Sequence, residues 1–114
     1  TEQHVKRLEQ VFAEVGKAPK RETCAAMKGL VAEGDEMIKA TAPPDVKDAA
    51  LIAAAQRVEH CEMSGYGTAR TFAQELGHSA SADLLQATLD EERAADKKLT
   101  AIAESRINIR AMKA

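Results

Sequence analysis

Apolar residues recur at helical spacing along almost the whole chain, and Gly and Pro punctuation divides the pattern into segments. Val5, Leu8, Val11, Phe12 and Val15 share one side of a first helix that runs to about Val15 and stops at Gly16, before Pro19. A second helix, from about Glu22 to Ala40, sets Cys24, Met27, Leu30, Val31, Met37 and Ile38 on a stripe, with Lys28, Glu33, Asp35 and Glu36 off it. Pro43-Pro44 breaks the chain, and Asp45 is placed to cap a third helix, with Asp48 three residues on. No strong breaker follows between Val46 and Leu76, which predicts a rod about 46 Å long that only a helical bundle accommodates comfortably. Gly65 and Gly67 inside it predict a close helix approach or a local bend. Gly77 ends it, Ser79 or Ser81 caps a fourth helix, and that helix continues to roughly Ile107.

Length and composition support an all-α fold in one domain spanning residues 1–114. Apolar residues make up 45% and charged residues 30%, a globular balance, while one Tyr, two Phe and no Trp leave little material for a β-sandwich. The net charge of −2 is spread along the chain without a basic run, so nothing favours nucleic acid. No apolar stretch approaches the ~20 residues that span a bilayer. The opening Thr1-Glu2-Gln3-His4 lacks a signal-peptide layout, so a cytoplasmic location is expected. Cys24 and Cys61 form no CxxC, and a helical domain of this size needs no staple; both are expected to be small, partly buried side chains.

Acidic residues in the wrong place carry the chemistry. One face of the third helix reads Ile52, Ala55, Glu59, Glu62, Tyr66, Ala69, Ala73, Leu76, while Lys47, Arg57, Ser64, Thr68, Thr71 and Glu75 supply a solvated side. Two inward carboxylates demand a proton, a cationic side chain or a metal, and that stripe holds no Arg or Lys. A rotation that wets both acids, or a cation from another element, remains the alternative. In the fourth helix Glu92 and Asp96, one turn apart, share a face with Leu85, Leu89, Leu99 and Ile102, although an acidic pair of that spacing also suits an exposed edge. Glu91 lies toward the outer side, and a modest rotation would bring it in. His4 shares the face of Leu8 and Val15; His60 falls beside the stripe and His78 in a turn, and both are left out of the site. Carboxylates on facing helices with an imidazole nearby suit a pair of iron or manganese ions. His4, Glu59, Glu62, Glu92 and Asp96 are therefore the candidate metal ligands.

The run from Asp48 through Gln56-Arg57-Val58-Glu59-His60, followed by Glu62 and Gly65-Tyr66-Gly67-Thr68, resembles the YciE/YciF group of bacterial ferritin-like proteins. His4-Val5-Lys6-Arg7-Leu8-Glu9, Cys24-Ala25-Ala26-Met27-Lys28-Gly29-Leu30 and Thr88-Leu89-Asp90-Glu91-Glu92 with Asp96 add to it, so the resemblance covers essentially the whole chain. It implies a ferritin-like bundle of stress-associated proteins, with metal binding by kinship to rubrerythrins and manganese catalases. Glu59 and Glu62 match the paired carboxylates of rubrerythrin-type third helices. The Glu-x-x-His of their fourth helix is missing, since Ala95 stands three residues after Glu92 and Asp96 comes next. Cys61 stands where relatives tend to carry a Tyr. The resemblance further implies a helix ahead of Thr1, and the uncapped, fully periodic start points the same way: the bundle as given lacks the family's first helix.

Two functions are expected to compete. One is a di-metal carboxylate protein, with iron or manganese, acting on peroxide or oxygen through a substrate the sequence does not name. The other is a structural or interaction protein, a helical dimer without a redox metal. Both versions predict a homodimer, because a bundle short of a helix leaves an apolar groove to cover.

Overall fold

The computed structural model describes residues 1–114 and contains no strand. Its helices are α1 (Glu2–Glu14), α2 (Ala25–Lys39), α3 (Pro44–Glu75), α4 (Ser79–Ile102) and the short α5 (Asn108–Ala111), with a π-helical turn at Ala103–Ile107 between the last two. The all-α expectation holds. The last segment departs from it, since the expected regular helix to Ile107 widens into a π turn after Ile102, where the Ser105 hydroxyl donates to the Ile102 carbonyl at 3.0 Å.

Helix ends follow backbone chemistry more than side-chain caps. Gly16 and Gly77 take positive φ, +69° and +79°, and allow the chain to turn back at the ends of α1 and α3. Lys17 N–H then reaches the Phe12 carbonyl at 3.0 Å, and His78 N–H the Ala73 carbonyl at 2.8 Å, satisfying carbonyls that a helix end leaves open. Three expected starts shift. Pro44 is the first residue of α3, where its missing N–H costs nothing, so Asp45 lies in the first turn instead of capping it. α4 begins at Ser79, and Ser81, completely buried, gives its hydroxyl to the Glu14 carboxylate instead of to a helix end. α2 begins at Ala25, with the Cys24 sulfur accepting the Met27 N–H at 3.4 Å. Cys24 is thus exposed, a correction to its expected burial, because capping turns the side chain along the helix end; Cys61 is half-buried as expected.

The packing divides into two compact units. The first comprises Thr1–Glu22 and Glu62–Glu92. Ala73, Ala82 and Leu85 form its core, with Leu8 and Val11 of α1 and Tyr66 and Ala69 of α3 packed against them. Thr88 and Leu89 are buried on the same face of α4. The predicted close approach at Gly65 is absent, since a Cβ there would meet open space, and at Gly67 one would make only an ordinary 3.9 Å contact with Leu89. Leu76, expected in the inward stripe, is 74% exposed, because the α3 stripe outruns the core that covers it.

The second unit comprises Thr23–Cys61 and Arg93–Ala114. Its buried residues are Ala54, Ala103 and Ile107. No residue of α2 is buried, although Met27, Leu30 and Met37 are half-covered. Arg57 pairs with Glu33 at 2.9 Å and Arg110 with Asp45 at 3.2 Å, both at the surface.

Candidate metal centre

Glu59 and Glu62 are three residues apart on α3 and therefore share one face of that helix. Each offers one carboxylate oxygen that, together with one from Glu92 on α4, lies within 4.8 Å of the others. Glu59 and Glu62 are half-buried and Glu92 is only 5% exposed. The Oε2 atom of Glu59 is shielded from solvent and accepts no hydrogen bond. A buried carboxylate oxygen without a donor costs free energy that a cation recovers. The three carboxylates at this spacing are a hard, anionic donor set of the kind iron and manganese accept, so the residues present fit the ion.

His4 stands beside this set with both ring nitrogens engaged. Nδ1 is 3.0 Å from Glu92 Oε1, and Nε2 is 2.7 Å from Glu91 Oε2. Arg7, one turn along α1, donates to both oxygens of Glu91, at 2.7 and 2.9 Å, and to the buried Thr88 hydroxyl at 3.2 Å. Hydrogen bonds from Arg7, then from His4, hold the Glu91 carboxyl down at about 2. The ring of Tyr66 meets His4 edge-on, with centroids 6.1 Å apart. Burial, and then the charges of Glu62 and Glu92, raise the Tyr66 hydroxyl above its ordinary value. Tyr66 and Glu62 also line a shallow apolar groove with Leu8, Gly65, Ala69 and Leu85.

Of the five ligands expected from sequence, Glu59, Glu62 and Glu92 come together and His4 touches Glu92. Asp96 is not among the converging carboxylates. Its Oδ1 accepts from Gln56 Nε2 at 3.2 Å and lies 3.1 Å from His60 Nε2, and the same Gln56 amide donates to Thr100 at 2.7 Å. Asp96 thus belongs to a separate polar group with His60, which the periodicity placed beside the stripe. Sequence reasoning missed Arg7, and it placed Glu91 toward the outer side, from which a modest rotation would bring it in. The one available signal was the spacing of His4 and Arg7, which puts them on adjoining turns of one face.

No helix is long and apolar enough to cross a membrane. The family model described as a domain of unknown function, DUF892, matches residues 1–112. The protein YciF of Escherichia coli K12 is 46% identical over 112 residues, which is 97% of this chain and 68% of that protein. The crystal structure of the Escherichia coli stress protein YciF superposes with a TM-score of 0.89 at 45% identity, covering 94% of this chain and 68% of that one. YcfI from Rhodopseudomonas palustris gives a TM-score of 0.82 at 42% identity, over 87% of this chain and 63% of its own. With its helices, its acidic cluster and these relatives in agreement, the chain belongs to the YciE/YciF family of ferritin-like proteins.

Proposed function

We propose that this chain is a stress-associated metal-binding protein whose centre takes two iron or manganese ions on carboxylates. The observation that carries the reading is the convergence of Glu59, Glu62 and Glu92, with a solvent-shielded Glu59 oxygen lacking any hydrogen-bond donor. The description of YciF as a stress protein supports the association with stress. Glu59, Glu62 and Glu92 are the proposed carboxylate ligands and His4 the imidazole. Asp96 is left to its partners His60 and Gln56.

Bound iron or manganese would supply a one-electron couple suited to reducing peroxide or oxygen. The chain's own part is to hold anionic oxygen donors in a poorly solvated place, to keep the His4 imidazole beside them, and to line the approach with Tyr66 and Leu8. Elemental analysis of full-length protein purified without chelator tests the reading. About two ions of iron or manganese per chain are expected for a centre of this class. Protein that stays metal-free after loading with either ion would sink it.

A second reading has its own observation. Phe72 and Leu76 are 58% and 74% exposed, beside an apolar groove also lined by Val11, Phe12 and Val15. Such a face suits a helical homodimer with a structural or interaction role. Sedimentation of the same sample separates the cases, since a monomer at tens of micromolar would remove the dimer, and a metal-free dimer would favour this reading over the first.

A further inference from the structure

The arrangement around His4 is more specific than a histidine near acids requires. A metal-binding imidazole usually gives its other ring nitrogen to a carboxylate, which fixes the ring and its tautomer. Here Nδ1 is the nitrogen directed at Glu92, and Nε2 is the one directed at Glu91. Glu91 itself is held by two guanidinium hydrogen bonds from Arg7, and Arg7 is anchored in turn on the buried Thr88. A single oxygen, Glu91 Oε2, serves both His4 and Arg7. Glu91 and Glu92 are adjacent on α4, so one turn of helix presents an outer carboxylate and an inner one to opposite edges of the same ring.

We propose that Glu91 and Arg7 are positioning residues: Glu91 takes the Nε2 proton of His4, Arg7 fixes Glu91, and Nδ1 is thereby left directed at the metal beside Glu92. This rests on the metal reading above and adds to it. It assigns Glu91 a role outside the ligand set despite its proximity, and it explains why a surface carboxylate, 49% exposed, is gripped from two sides. A lone surface ion pair would need no such grip, because exposed pairs of this kind contribute little.

Cobalt(II) is a suitable probe, since the ring N–H of a cobalt-bound histidine gives an exchangeable proton resonance far outside the diamagnetic range. Loaded full-length protein is expected to show one such resonance that His4→Ala abolishes. Glu91→Ala is expected to broaden it into solvent and to weaken cobalt binding by about 10–100-fold, the range for losing such a supporting partner. Glu91→Gln keeps an acceptor oxygen able to serve both His4 and Arg7, and should restore the resonance with most of the affinity. Arg7→Met should fall between the two. Helicity by circular dichroism confirms that each variant is folded, and if Glu91→Ala does not fold, Arg7→Met carries the test, an unchanged resonance and affinity in it overturning the inference. Unchanged affinity and an unchanged resonance in Glu91→Ala would overturn this inference and leave the metal reading standing. Failure of the unaltered protein to bind cobalt(II), manganese(II) or iron(II) would overturn both.

Discussion

In the unit of Thr1–Glu22 and Glu62–Glu92, Leu85 and Leu89 are 4% and 3% exposed, whereas in the unit of Thr23–Cys61 and Arg93–Ala114, Val31 and Ile38 of α2 keep 51% and 58% of their surface. Both regions are built from amphipathic helices. They differ in what those helices meet. In the first, α4 offers small side chains, Ser81, Ala82 and Thr88, that let large ones from α1 and α3 settle between them and give polar partners to Glu14 and Arg7. In the second, α2 meets an alanine-rich stretch of α3, where Ala54 and Ala55 are too short to cover Val31 and Ile38. Amphipathicity shows that a helix has a face to bury; the facing side chains decide how completely it is buried.

The largest expected effect tests that contrast directly. Leu85→Ala should cost about 2–5 kcal/mol in urea unfolding, the range for a well-packed core leucine. Val31→Ala and Ile38→Ala should stay within about 0.5 kcal/mol, as surface substitutions do. Comparable losses at all three positions would break the comparison.

Next in size is a gain. Glu59 Oε2 is buried without a donor, so Glu59→Leu should stabilise the metal-free protein by about 0.5–2 kcal/mol while lowering its metal content. Thermal melting with and without manganese reads both effects. A destabilised metal-free variant would mean that the carboxylate serves the fold and not an ion.

The polar side of the first unit can be sharpened by titration. Tyr66 is the chain's single tyrosine, so phenolate absorbance reports it alone, and its midpoint should lie above about 10. Because the folded chain holds this proton more tightly than the unfolded one, stability should fall as pH rises above that value. Glu62→Gln should move the midpoint back toward it. A midpoint unchanged by Glu62→Gln would leave burial and the Glu92 charge as its causes.

The smallest effect concerns Glu91. Its carboxyl is held at about 2 against an ordinary 4.5, so the folded chain binds that proton less tightly. The contribution of the Arg7–Glu91–His4 group is then complete above pH 4.5 and lost as pH falls toward 2. Urea midpoints of the unaltered protein and Glu91→Gln should differ near neutrality and converge at acid pH. In the second unit Arg57→Ala, which breaks an exposed pair with Glu33, should show no comparable acid dependence.

Helical periodicity determined the all-α content and the inward direction of Glu59, Glu62 and Glu92, and Gly and Pro punctuation the breaks at Gly16, Pro43-Pro44 and Gly77. Each of these depends on local backbone chemistry or on angles about one helix axis, which residue order encodes directly. Tertiary structure decided the rest. Asp96 shares the angular phase of Glu92 within one turn, yet Gln56 and His60 claim it. Glu91, placed on the outer side by its angle, reaches His4 and Arg7 across 87 and 84 residues of chain. Leu76 continues the apolar stripe of α3 past the end of its cover and is left in solvent. An angle about one axis does not report which side chains stand opposite, and partner choice among ionisable groups is settled by those neighbours at hydrogen-bond distance.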